Sequence, residues 1–440
     1  MNKIIQIVLF SIITTSTLFA QQEKGIVGYN NWLNSWTEFK PNHVEYNEPT
    51  QILSGDITED TKLSKRDVYL LLGDVFVTDS TTLIIEAGTV ILGDFKTKGS
   101  LTISNGSKII AEGTQTDPIV FTSSRSVKKP GDWGGLFILG DAPLNTFGNE
   151  ASINKGLKPS SFDNISYGGE NSESNSGRLS YLRIEYAGKR TKDFGNFSAL
   201  TLAGVGNMTS INNVMVSYSE GNAFTVLGGD TKLRELVSYK SSQNDYAFNF
   251  GAQSNLYNSL AVRSPYVSSS EGSRCLYISS YDDKESANST KKATNVIAEN
   301  LTLVNISEDL EYDMQVGLVK EAIFVDKDTS FLIDKSVISG FNPAVILDGG
   351  IKIDNDNLQK IQFTRTYFNN CNGNIFVENN TNNDDLESWY GSRAFNNVYS
   401  EGPDIETFID PKSQRSPDYR LRINRIIASN DFIDDDDDDE

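Results

Sequence analysis

The chain has 440 residues, of which 38% are hydrophobic and 22% charged, with 34 Gly, 11 Pro, 2 Cys and a single His. That content excludes a disordered polymer and a disulfide-built scaffold, and one His excludes chemistry that needs two or three imidazoles. With 39 basic against 59 acidic residues the formal charge is −20, which excludes nucleic acid as the expected partner.

Residues 1–20 read as a secretory signal peptide. Lys3 gives the positive start, Ile4 to Phe10 with Ile12 and Ile13 the apolar stretch, and Leu18-Phe19-Ala20 the small-residue cleavage end. No Cys stands beside that end to carry a lipid, and no later segment approaches 18 consecutive apolar residues, so no membrane span is expected in the mature chain. Residues 21–57, with Trp32, Trp36, Phe39 and Tyr46 among polar neighbours, are expected to form an N-terminal cap whose aromatic side chains lie over the first coil. His43 falls in this segment, alone.

From residue 58 the chain repeats itself. "TLIIEAGTVILG" from Thr82 aligns with "SLTISNGSKIIA" from Ser100 at an offset of 18, placing Leu83 on Leu101, Ile85 on Ile103 and Gly88 on Gly106. A second match runs at 22, placing Ile211 on Leu233, Val214 on Leu236, Phe224 on Tyr246 and Val226 on Phe248. Inside each unit apolar residues alternate over three to five positions and stop at Gly, Asn, Asp or Ser, which is strand periodicity. Strands this short cannot bury a face alone, but stacked in register they share one interior. The expected fold is therefore all-β, a single right-handed parallel β-helix over 58–377 with N- and C-terminal caps and lateral loop insertions. A leucine-rich repeat would need a helical half and a β-propeller a period near 40, and the offsets fit neither. At about 22 residues per coil, Cys275 and Cys371 lie about four coils or about 19 Å apart along the axis, so both are expected to be free.

Four polar insertions interrupt the repeat: Asp141 to Gly177, Gly188 to Phe197, Ser264 to Lys292, and Ser307 to Lys320, the last with room for a helix. Residues 378–428 are expected to close the far end. Residues 429–440 form an acidic tail expected to be disordered, since a block of like charges repels itself.

The stretch "PGDWGGLFILGDAPLN" (130–145), preceded by "GSKIIAEGTQTDPIVFTSS" and followed by "GRLSYLRIEYAG", resembles a family of exported Bacteroidetes proteins with a WGGLFILG-type core. The resemblance implies a right-handed parallel β-helix and export, and no established reaction. It also implies pairs of acids where this chain has Asn244-Asp245, and an Asp where it has Asn249. Read physically, Gly134 and Gly135 leave room for the Trp133 ring against backbone, Leu136 to Leu139 form a strand buried on both faces, and Gly140 ends it.

For chemistry, "RSPYVS" from Arg263 matches the first half of the Arg-x-Pro-x-x-Arg of pectate lyases, but Ser268 stands where the second Arg belongs. No nucleophile elbow, zinc-protease motif or phosphate loop is present. Hard oxygens alternate in Asp326-Lys327-Asp328 and Asp354-Asn355-Asp356-Asn357, which suits Ca²⁺ as an ion or a solvated turn without one. The expected function is that of a non-enzymatic envelope or cell-surface scaffold, binding an outer-membrane or surface protein or a glycan through its lateral loops. The alternative is a carbohydrate-active enzyme, hydrolase or lyase, whose acids converge on one flank. The candidate ligand-binding residues are Glu185, Asp245, Asp282 and Asp283.

Overall fold

A computed structural model describes residues 24–153, 156–270, 272–378, 384–413 and 415–422. The signal-peptide and acidic-tail readings fall outside those residues. The described chain winds into a right-handed parallel β-helix with three sheets. Its first coil sets the order: 51–53 begin sheet one, 55–57 sheet two and 61–63 sheet three. Sheet one continues through the rungs of Leu71, Leu92, Val120, Arg183, Met215, Val237, Leu260, Thr302, Val337 and Tyr367 to Val398. Sheet two rises through Val75, Leu101, Leu136, Leu200, Phe224, Tyr246, Leu276, Ile323 and Val345 to Ile375. Sheet three rises through Leu83, Ile109, Leu179, Ile211, Leu233, Leu256, Ala298 and Ile333 to Phe363. The stack thus starts before residue 58 and ends after residue 377.

The match at 22 is the coil: Ile211 pairs with Leu233, Phe224 with Tyr246 and Val226 with Phe248. The match at 18 is not. Leu83 pairs with Ile109 in sheet three, whereas Leu101 pairs with Val75 in sheet two. The two segments look alike because both are short strands ended by a Gly with positive φ, +82° at Gly88 and +87° at Gly106.

The corner from sheet three to sheet one turns on one residue in the left-handed region. Tyr181, Asn213, Glu235, Asn258, Asn300, Lys335 and Arg365 occupy it on successive coils, with φ between 46° and 57°. Asn is over-represented there because its short amide tolerates this conformation.

One apolar column fills the prism, from Leu63 to Val377. A second cluster lies outside sheet one, and it corrects the expected N-terminal cap. Ile26, Leu33, Trp36 and Phe39 pack on Met215, Val237, Leu260, Val304, Val337 and Tyr367. Residues 24–46 are therefore a strap running down the flank, with Gly25 N bonded to Lys335 O at 2.8 Å and Tyr46 hydroxyl to Arg183 at 2.9 Å. The sheet-one strands explain this, because Met215, Val237, Leu260 and Val304 point outward where alternation would place polar residues, and that apolar face must be covered. Phe408, Tyr419 and Leu421 complete the cover, so part of the expected C-terminal closure also lies on the flank.

The insertion over 264–292 is split by the strand Leu276–Ile278, and that over 307–320 holds the helix Leu310–Gln315. These insertions leave three coils, not four, between the rungs of Leu276 and Ile375 that flank the two cysteines. Cys275 and Cys371 are both free.

Candidate functional site

The four acids singled out from the sequence do not converge. Glu185 sits in sheet one, 1% exposed, 3.4 Å from the Arg183 Nε, with neither carboxylate oxygen hydrogen-bonded; burial pushes its carboxyl up. Asp245 is fully buried where the chain enters a sheet-two strand. It accepts from Ser238 Oγ at 2.5 Å and from Arg263 Nη1 at 3.0 Å. Arg263 in turn donates to Gln243 O, Ser241 O and Ser273 Oγ. That network is structural, and it leaves Arg263 unable to act as a lyase base. Asp282 accepts from Asn249 Nδ2 at the opposite end of the same strand, and Asp283 caps the short helix Lys284–Ser286 by accepting from Glu285 N. A buried carboxylate in one sheet, a satisfied one in another and two exposed loop acids make no shared cleft.

The WGGLFILG segment is a packing device, although not the one expected. Trp133 is fully buried, donates Nε1 to Glu185 O at 2.8 Å and stacks on Phe121. The glycine that admits its ring is Gly93, whose added Cβ would lie 2.5 Å from Trp133 Cβ and Cγ. Gly134 and Gly135 instead admit the neighbouring rungs: an added Cβ would lie 2.6 Å from Ser100 Cβ at Gly134 and 2.5 Å from Ser198 O at Gly135. Gly140 likewise faces Gly204 O. None of these residues presents a surface to a ligand.

The outward face of sheet two does, over its upper coils. In each strand the first and third residues point into the prism and the second and fourth point out. Leu276, Ile278, Ile323, Val325, Val345 and Leu347 are buried, while Tyr277, Phe324, Ile346 and Phe376 stack in register on successive rungs as a half-buried apolar ladder. The Tyr277 and Phe324 rings are 5.8 Å apart and parallel, and the Arg274 guanidinium lies over both while pairing with Glu321.

Beside this ladder runs a second column: Asn249, Ser279, Asp326, Asp348 and Glu378. The parallel ladder continues through it, since Ser279 N bonds Phe248 O, Asp326 N bonds Ile278 O, Asp348 N bonds Val325 O and Glu378 N bonds Leu347 O, each at 2.8–2.9 Å. The backbones that carry the three acids thus stand about 4.8 Å apart, rung upon rung. Asp326 accepts from Ser279 Oγ at 2.8 Å and Asp348 from Gly350 N. Burial first, and the neighbouring Asp348 among the further causes, push the Asp326 carboxyl up.

On the lower coils the same face is closed. There Phe76, Phe137 and Leu139 lie under Leu144, Ile153, Leu157 and Ile165 of the first insertion and Phe197 of the second. Lys189 clamps this cover, 2.9 Å from Asp74 and 4.6 Å above the Phe197 ring. The face is therefore covered at its lower end and half-exposed over its upper coils, where the ladder and the acid column run side by side as an open strip, or groove.

Two cavities adjoin the corner after sheet two, one of about 360 Å³ lined by Leu144, Glu170, Asp230 and Gln253, and one of about 550 Å³ lined by Tyr281, Lys284, Asp326, Asp328 and Lys360. Lys291 lines both and bonds Thr146 O and the Asn149 side chain, which ties the first insertion to the third.

Of the turns read as suited to Ca²⁺, Asp326 Oδ1 accepts from its own neighbour Lys327 N and Asp354 caps the helix Asn355–Leu358. Among the described residues no group of three or more His, Cys, Asp or Glu side chains is placed to hold a metal ion. The residues that sequence reading missed were legible as a recurring word, Leu276-Tyr277-Ile278-Ser279, Ile323-Phe324-Val325-Asp326, Val345-Ile346-Leu347-Asp348 and Ile375-Phe376-Val377-Glu378. Its third member varies little because it faces inward; its second and fourth carry the groove.

The family model described as pectate-lyase-like β-helix domain matches residues 55–407, and the chain belongs to that family. No curated protein and no solved structure matches it.

Proposed function

We propose that this member of the pectate-lyase-like β-helix family is an exported envelope protein that holds a polysaccharide chain along the open upper groove of sheet two. One observation carries the reading: on the lower coils the protein covers this face with its own apolar side chains, and on the upper coils it leaves stacked rings beside a hydrogen-bonding acid column. Rings of that kind offer flat apolar area to sugar faces, and the acids offer acceptors to hydroxyls. Lateral loops border the groove instead of forming the binding surface themselves. The test is calorimetry against a panel of polysaccharides with the wild type and with Tyr277→Ala and Phe324→Ala. The expected result is binding that each substitution weakens by about tenfold, in line with about 1–2 kcal/mol per lost ring contact. Cell fractionation tests the envelope location.

A second reading, hydrolysis, is favoured by the Asp326–Asp348 juxtaposition. A retaining glycosidase places two carboxyl groups close together, one protonated as acid and one ionised, and burial pushes the Asp326 carboxyl up toward the acid's role. Release of reducing ends by the wild type, abolished in Asp326→Asn with binding retained, would establish it.

A further inference from the structure

The charge of the groove narrows what it takes, and the argument rests on the polysaccharide reading above. Asp326, Asp348 and Glu378 stand on three consecutive rungs, with Asp282 and Asp328 on the loops that border them. Among the described residues none of the five forms an ion pair. Lys327 follows Asp326 and donates its backbone N to it, but its side chain is exposed and forms no ion pair with the column. Arg274, the cation above the ladder, is already neutralised by Glu321 at 2.5 Å. A polyuronate laid in this groove would bring a carboxylate toward each rung that already bears one, in a protein of net charge −20. Lys284, Lys291 and Lys360 line the cavity beside Asp326 and Asp328, yet among the described residues none of them pairs with the five acids. Carboxylates one rung apart are left to repel each other, and an ammonium between them removes that repulsion while gaining two charge-assisted bonds.

We infer that the groove takes a glycan of amino sugars with free ammonium groups, its pyranose faces on Tyr277, Phe324 and Phe376 and its ammonium groups between Asp326, Asp348 and Glu378. The ladder fixes the chain along the axis, and the acid column sets which sugar is accepted.

Three hexamers test this by calorimetry: glucosamine, its fully N-acetylated form and galacturonate. The glucosamine hexamer is expected to bind, and to weaken about tenfold between about 0.02 and 0.3 M NaCl, because the contacts are partly exposed and screened. Binding should fall at least about tenfold on N-acetylation and to a similar degree in Asp326→Asn/Asp348→Asn. That variant relieves a like-charge pair and keeps hydrogen-bonding groups, so its melting temperature should not drop, which separates lost recognition from lost folding. Equal or tighter binding of the N-acetylated or galacturonate hexamer would overturn the charge inference and leave the polysaccharide reading standing. If none of the three binds and the broader panel is also refused, the polysaccharide reading itself fails.

Discussion

Single residues in this protein matter mostly through what they allow to come close. Gly93 is the clearest case, because the Trp133 ring occupies the space a methyl group would need. Gly93→Ala is expected to cost about 2–3 kcal/mol by overpacking, and Trp133→Ala about 3–5 kcal/mol by leaving a cavity, both read by chemical denaturation. The double variant should cost less than the two together, since the added methyl would fill part of the hole. Asp404 illustrates charge at the same scale. Burial raises its carboxyl to about 6, against the bond it accepts from Ser339 Oγ at 3.1 Å. A raised acid favours the folded state while protonated. Its contribution is thus complete below the ordinary aspartate range near pH 4 and is lost as pH climbs through 6. Asp404→Asn is expected to remove this dependence, narrowing the stability difference between pH 4.5 and 7.5 by roughly 1 kcal/mol relative to wild type.

At the scale of elements, the strap over residues 24–46 and the Asn corner form one unit. Asn258 receives Val27 N and donates to Val27 O, at 2.8 and 3.1 Å, and Asn300 Nδ2 bonds Gly25 O. Asn258→Ala therefore loses both the strap bonds and a residue suited to φ near 50°. A cost of about 2 kcal/mol is expected, with faster hydrogen exchange at Val27 ahead of any change in the prism core. The strands themselves were legible because alternation and turn residues are local signals, and the 22-residue coil was legible because two uninterrupted coils lie next to each other. The strap was misplaced for a physical reason: nothing near Trp36 or Phe39 in sequence says which surface they cover, as their partners at Met215 and Tyr239 lie far along the chain. The outward apolar residues of sheet one were the available sign that such a cover exists. The groove was missed because searching for clustered acids along the sequence favours neighbours such as Asp282 and Asp283, whereas a solenoid assembles its sites from residues one coil apart. Asp326 and Asp348 lie on adjacent rungs although 22 positions separate them in sequence.

At the scale of the whole molecule, a solenoid behaves as a row of units coupled to their nearest neighbours, and such rows tend to unfold piecemeal. The strap opposes this by contacting sheet one from the rung of Met215 to that of Tyr367. Thermal unfolding is expected to be a single transition, and deletion of residues 24–46 is expected to split or broaden it and lower its midpoint by several degrees, read by calorimetry. The charge of −20 sets a second expectation. Moderate salt should raise the midpoint by screening self-repulsion, the opposite of its effect on the ligand proposed above. The direction of the strap carries a further consequence. It runs against the climb of the coils, so Gly25 and Ile26 are held by Lys335 and Thr302. The strap is made before the coils it covers and thus has no seat until nearly the last coil exists. Docking it announces that winding is finished, and a chain stalled midway would keep its tryptophans loose, marked as incomplete for any chaperone that reads exposed rings.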